Sequence, residues 1–419
     1  MDYQKVVCPN YNIYLVNNKK FHDIEISINF TENVNKRKIT ERNILADLLT
    51  YSCYKYDTTS KLVKKCQELY SMHPKCSVNR YGNIIRTKFS LSIVDSYYVS
   101  KNNLIDNIEL LSEIILHPWI EDNKLKSKYL ELVKKILAGE TLSIEEEPRL
   151  YANIKALKIM GKNEKYALTG FSDLKLLEEI DEEKLYKSYQ KMLRESRIDI
   201  IISGNIRNQK KIVDAIKKYF VIKNKSNLNY VATKHTYVES PIKKVKEKKK
   251  IAQSKLCLIG KIIDVNEYEY KVVFNVFNEM FGTMGSCLLM KHVREKNNLC
   301  YYICSYYNKL DSIFVINSGV KKDEMEKAAA LIIDTLKMAT EGKFTNIDLK
   351  NAKAEYLNEL EKLKDSNNNL CEYVYGREVF GSDTVQERIQ LAKMITKEDI
   401  MNVAKKIKLC VEYYLEGEQ

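Results

Sequence analysis

The chain is poor in the residues that build unusual architectures. Thirteen glycines and five prolines in 419 residues exclude collagen-like and proline-rich classes. No apolar run reaches the ~18 residues that a membrane-spanning helix needs. The opening MDYQKVVCPNYN has no basic stretch followed by a long apolar core, so no secretory signal is expected. The ten cysteines are scattered without a CxxC pair, which excludes a disulfide scaffold. Cys300 and Cys304 are four apart, but no second pair completes a zinc site. The cysteines read as small buried hydrophobes in a reducing cytoplasm. The five histidines, His22, His73, His117, His235 and His292, are far apart in sequence.

What is present is ordinary for a globular protein: 45% hydrophobic and 30% charged residues, enough core for two to four domains and too apolar for disorder. The net charge is +13, and PIKKVKEKKK at 241–250 holds six lysines. Elsewhere lysines alternate with glutamates, as on solvated helix faces. No helix-turn-helix, zinc-finger or RNP signature accompanies them, so the charge reads as surface and nucleic acid is the weaker option.

Hydrophobic periodicity divides the chain into two similar halves. In His22–Phe30, Ile24, Ile26, Ile28 and Phe30 share one face, which marks a half-buried strand. Helices are expected from about Thr40 and Thr59, strands at 76–79 and 84–93, and helices at 104–115, 122–137 and 182–193. The strand Ile198–Ser203 closes the first half. The second half repeats the order: strand 255–261, helix 267–280, a glycine-containing turn, helix 287–294, strands 299–306 and 313–318, helices 322–341 and 346–364, then a helix from Lys397 and a strand at 409–415. Between them, about 223–253 is polar and lysine-rich with no sustained helical period. The expected organisation is a domain at 1–220, a polar linker at 221–253 and a domain at 254–419. The fold class is α+β, with two duplicated domains, each an antiparallel sheet covered by helices on one face.

Four blocks carry a family resemblance. They are Tyr51-Ser-Cys-Tyr-Lys-Tyr-Asp-Thr-Thr-Ser-Lys-Leu62 after a helix; His117-Pro-Trp-Ile120; Phe281-Gly-Thr-Met-Gly-Ser286 running into Val293-Arg-Glu-Lys-Asn-Asn-Leu-Cys-Tyr301; and Thr396-Lys-Glu-Asp-Ile400. Together they resemble the M16 family, the insulinase- or pitrilysin-like zinc peptidases. The third block, similar to a GG-S…REK-x-x-L-x-Y pattern, is the most specific. The resemblance spans nearly the whole chain and implies the M16/LuxS-like metallohydrolase fold. It is nearest to small bacterial members of one N/C pair, such as those associated with elongation factor P modification or with peptide maturation.

An inverted zincin needs two histidines one helical turn apart, a glutamate base between them and a further glutamate ligand. Through the YxCYKY turn, the HxxEH positions fall on Asn43, Ala46 and Asp47. An amide is a poor zinc ligand, and no glutamate stands at the base position. The third ligand is expected on the helix after Trp119, at no assigned residue. Cys287, after Gly285-Ser286 at a helix start, could be a nucleophile, but a packed cysteine is the preferred reading. The block around Arg294 and Tyr301 is retained. In the resembling family such a pair binds the substrate carbonyl and the oxyanion, and Gly282 and Gly285 allow tight backbone beside it. Taken alone, the spacing favours a structural reading, with Arg294 a cation at a helix C-terminus and Tyr301 one of 29 tyrosines.

The resemblance therefore implies a zinc-free subunit. It is expected to have no cofactor of its own, to pair in the cytoplasm with an HxxEH-bearing homologue that holds the zinc, and to help cleave a small peptide. The rival reading is a non-proteolytic scaffold or peptide-binding chaperone for a modifying enzyme.

Overall fold

The computed structural model describes residues 2–99, 103–226, 228, 230–236 and 240–418. The first half runs β1 (Gln4–Val7), β2 (Asn12–Asn17), β3 (Asp23–Asn33), α1 (Lys36–Tyr51), α2 (Thr59–Glu68), β4 (Lys75–Tyr81), β5 (Ile84–Val94), α3 (Leu104–Leu116), β6 (Ile120–Glu121), β7 (Lys124–Leu125), α4 (Leu130–Ser143), α5 (Pro148–Gly161), α6 (Leu174–Glu179), α7 (Glu182–Glu195), β8 (Arg197–Gly204) and α8 (Gln209–Tyr219). The second runs β9 (Lys243–Lys249), β10 (Ser254–Ile262), α9 (Phe274–Asn278), β11 (Cys300–Asn308), β12 (Ile313–Val320), α10 (Met325–Thr340), α11 (Asn346–Lys362), α12 (Asn367–Phe380), α13 (Val385–Met394), α14 (Lys397–Lys405) and β13 (Ile407–Gly417). Wider π-turns flank α9 at Glu269–Val273 and Glu279–Thr283, and a third covers Met290–Glu295.

The helix expected at 122–137 is preceded by a hairpin. Asp122 and Asn123 both take positive φ, +50° and +58°, as a two-residue β-turn between twisted strands requires. The helix therefore starts only at Leu130.

The duplication is visible in strand order. One sheet reads β1-β2-β8-β3-β5-β4 and the other β11-β12-β10-β13-β9. Without β1 the two orders superimpose, with β2, β8, β3, β5 and β4 answering to β9, β13, β10, β12 and β11. The corresponding pairs β2·β8 and β9·β13 are parallel, and all the other pairs are antiparallel. Part of the expected linker is therefore a strand. The lysines of β9 alternate across an edge position, where charge on both faces is tolerated because it discourages further pairing.

Two compact units result, and they are not contiguous in sequence. The first comprises Met1–Leu142, Leu168–Val231 and Leu363–Gly381; the second comprises Ser143–Ala167, Ala232–Lys362 and Ser382–Gln419. Relative to a division at 1–220 and 254–419, each half lends one helix, α5 or α12, to the other unit. Each sheet thus has its main helical layer on one face and a single lent helix on the other.

In the first unit Ile24, Ile26, Ile28 and Phe30 of β3 join Phe89, Leu91, Ile200, Ile202 and the inner faces of α1 and α3 in one apolar core. The opposite face of β3 presents Glu25, Ser27, Asn29 and Thr31, all buried, as the two-residue period of a strand demands. In the second unit Cys257, Ile259, Val411 and Tyr413 pack with Tyr151, Ala152 and Ala156 of α5.

Candidate functional site

Helix α1 carries Asn43, Ala46 and Asp47. Its start is capped by Asn35, whose side chain accepts from the Lys38 amide, a standard way to satisfy an orphan N–H. It is pinned by a buried ion pair in which Arg42 Nε donates to Glu32 Oε2 at 2.6 Å and Nη2 to Oε1 at 3.0 Å. Arg42 also donates to Ser188 of α7 at 2.7 Å. On this rigid helix Asn43 is already engaged: its Nδ2 donates to the Gly170 carbonyl at 2.9 Å and to Ser172 Oγ at 3.1 Å. Ala46 is buried and has no proton to move. Asp47 is half-buried. Burial, and then the charge of Glu140, push its carboxyl up to about 6. The same two charges, after burial, raise the Tyr51 phenol, and burial and then Asp47 push up the Cys76 thiol.

Glu140 of α4 is thus the residue that sequence reading did not assign. It shares an electrostatic neighbourhood with Asp47, on the helix after Trp119 where a third ligand was expected. The signal was masked because a hairpin intervenes before α4 and shifts the count along the chain.

These donors do not fit a zincin centre. The two histidine positions are filled by a committed amide and a carboxylate, and the base position by a methyl group. Among the described residues no three His, Cys, Asp or Glu side chains converge to hold a metal. The histidines serve elsewhere: His22 packs edge-on against Tyr98, and the His235 ring lies 2.8 Å from the Asp311 carbonyl. His73 and His292 are both shifted toward the neutral form, mainly by burial. Cys287 is buried, and burial pushes its thiol up to about 11, the opposite of an activated nucleophile.

The second unit holds Arg294 and Tyr301. The turn Met290–Glu295 ends at Asn298, which takes φ +51°, and the Leu299 amide donates back to the Val293 carbonyl at 3.2 Å. This left-handed stop sends the chain straight into β11. The β11–β12 register then slips between Cys300 and Tyr302, so Tyr301 is the extra residue of a bulge, a device that re-aims a side chain. Tyr301 is 58% exposed and borders a hollow of about 930 Å3 with Gln253, Ser254, Lys321 and Lys322. Arg294 is exposed as well. Neither side chain has a hydrogen-bond or ion-pair partner among the described residues.

The two glycines differ. A Cβ on Gly282 would sit 2.3 Å from Ser305 Oγ, so Gly282 lets the helix lie against β11 rather than lining a site. A Cβ on Gly285 would meet nothing within 4 Å.

Fold and site together define a class: a duplicated α+β protein with neither histidine nor glutamate at Asn43, Ala46 and Asp47 of α1. Residues 179–356 match the family model described as Peptidase M16 inactive domain. It is similar to the "Probable inactive metalloprotease YmfF" of Bacillus subtilis (strain 168), 24% identical over 96% of this chain and 95% of that one. Among solved structures, a conserved protein from Enterococcus faecalis V583 shares the fold with a TM-score of 0.91 at 24% identity, over 100% of this chain and 99% of the other. A peptidase M16 inactive domain from Pseudomonas fluorescens gives 0.80 at 14% identity, over 100% and 98%. No described helix is long and apolar enough to cross a membrane.

Proposed function

We propose that this chain is the zinc-free subunit of a two-subunit peptidase. Its partner is an HxxEH-bearing homologue that holds the zinc, and their substrate is a small peptide or peptide precursor. The observation that carries the reading is the pairing of opposites within one chain. Asn43, Ala46 and Asp47 do not supply the two histidines and the glutamate base of the zincin motif, while Arg294 and Tyr301 stand exposed, unpartnered and seven residues apart across a turn and a bulge. A guanidinium and a phenol in that state are donors for a substrate carbonyl and for the oxyanion that forms as it is attacked. The partner's zinc supplies the activated water; this chain binds and orients the peptide. A cytoplasmic location is part of the proposal, and ten free cysteines support a reducing compartment.

The test is co-purification with an HxxEH-bearing homologue from the same organism, metal analysis of the complex, and turnover normalised to folded protein. Arg294→Ala and Tyr301→Phe should each leave the melting temperature and complex formation unchanged. Each should lower turnover on the order of a hundred- to a thousand-fold, the usual effect of one lost oxyanion donor. Unchanged turnover in both variants would leave the chain as a scaffold for its partner.

A further inference from the structure

The net charge of +13 has no role in the peptidase reading, and the lysine-rich strand β9 does not account for it. Lys244, Lys246, Lys248 and Lys249 form ion pairs with Glu412, Glu326, Glu418 and Glu145. A dense patch of unmatched charge lies in the first unit. Residues 207–225 carry seven lysines and arginines against one acid, Asp214, and none of the seven forms an ion pair among the described residues.

Helix α8 organises this charge. Asn208 caps it by accepting from the Lys211 amide. Its apolar side, Ile212, Val213, Ala215 and Ile216, is buried, which leaves Lys210, Lys211, Lys217 and Lys218 on the opposite side of the helix. Where α8 ends, the chain becomes extended. Phe220 and Ile222 turn into the core, while Val221 between them is 78% exposed.

Val221 and Ile222 line two adjoining hollows. One, of about 490 Å3, is bounded by Leu116 of α3, Leu193 of α7 and Tyr219, with Arg194, Lys218 and Lys223 at its rim and Glu113 as its one acid. The other, of about 240 Å3, is bounded by Val7, Phe220 and Lys217, and Val7 is 73% exposed. The result is an aliphatic surface, concave in two places and edged with cations, of which Lys217, Lys218 and Lys223 form no ion pair among the described residues.

We propose that this face of the first unit docks an acidic amphipathic segment of a partner protein. Apolar side chains of such a segment would fill the two hollows and cover Val7 and Val221, while its carboxylates meet Lys217, Lys218 and Lys223. A nucleic acid would satisfy the lysines but leave the aliphatic hollows empty. The apolar contacts supply affinity, and the cations supply steering and the choice of an acidic partner. The face belongs to the unit that lacks Arg294 and Tyr301, so its occupancy and peptide turnover are read independently.

The probe is a fluorescein-labelled 18-residue peptide with leucine at i, i+3, i+4 and i+7 spacing and glutamate elsewhere, titrated into the full-length chain. Binding should saturate, weaken at least tenfold between 50 and 500 mM salt, and weaken at least tenfold when the leucines are serine. Lys217→Glu with Lys218→Glu, and separately Val221→Asp, should each weaken it at least tenfold with an unchanged melting temperature, since all three positions are at the surface. Binding that is absent, or indifferent to these substitutions, would overturn the proposal. So would tighter binding of phosphatidylserine vesicles or of an 18-base-pair DNA duplex through the same lysines.

Discussion

Asp47 is the one titratable side chain among Asn43, Ala46 and Asp47. Its carboxyl is raised from the ordinary 3.8 to about 6, first by burial and then by Glu140. The folded chain therefore holds this proton more tightly than the unfolded chain does. The group's stabilising contribution is complete below about pH 4 and is lost as the pH rises through about 6. Asp47→Asn should flatten the fall in melting temperature across that window, by about 1 kcal/mol at pH 7 after allowance for solvent screening. The same geometry predicts a gain of metal. With Asn43→His, Ala46→Glu and Asp47→His introduced together, one zinc per chain should bind, and adding Glu140→Gln should release it. Equal zinc uptake with and without Glu140, read by metal analysis, would show that α4 does not bring the third ligand.

Among elements, the two lent helices are held by different chemistry. Helix α5 lies on an aliphatic and aromatic surface. Helix α12 lies on a charged one. Arg86, 2% exposed, donates to both carboxylate oxygens of Glu372 at 2.6 and 2.5 Å and to Asn29 at 2.9 Å. Its guanidinium also lies 4.0 Å from the Tyr375 ring centre. Lys88 donates to Glu372 at 2.8 Å and to Asn368 at 2.6 Å. Burial raises the Glu372 carboxyl, but the hydrogen bonds and charge of Arg86, and then of Lys88, outweigh it and hold it at about 2. A depressed carboxyl stabilises the fold above its unfolded value near 4.5, and that stability is lost as the pH falls toward 2. Glu372→Ala leaves Arg86 buried without its carboxylate, which should cost about 3 kcal/mol. It should also make acid unfolding between pH 4.5 and 2 shallower, both readable by thermal melts across pH. A Glu372→Ala melt equal to that of the unsubstituted chain would mean that α12 is held by its other contacts.

For the whole molecule, the exchange of helices governs how the chain can be divided. A fragment ending near residue 231 lacks α12 and uncovers Glu25, Asn29, Arg86 and Lys88, while the remaining fragment lacks α5 and uncovers Cys257, Ile259 and Tyr413. Each fragment alone should be poorly folded, and the fragment that lost α5 should aggregate because its uncovered face is apolar. Co-expressed, the two should assemble into a complex that melts cooperatively. Two separately stable fragments, each with its own sharp calorimetric transition, would show that the lent helices are dispensable.

Strand and helix periodicity, the duplication and the emptied HxxEH positions were all readable from sequence, because each is a local pattern: alternation in Ile24–Phe30, helical spacing in α1, residue identity at Asn43, Ala46 and Asp47. The sequence also marked the block around Arg294 and Tyr301, although it could not separate a surface pair from a structural one. Other features needed the tertiary structure. Strand β9 was hidden because an edge strand can be polar on both faces, so its lysines imitate a linker. The polar face beneath α12 follows from alternation in β3, but only the helix lent from residues 367–380 explains how Glu25, Asn29 and Arg86 can be buried there. Glu140 comes within electrostatic reach of Asp47 across more than ninety intervening residues, and no local spacing encodes such a return. The bulge that turns Tyr301 outward arises from a one-residue slip between β11 and β12, a property of the pair of strands and not of either one.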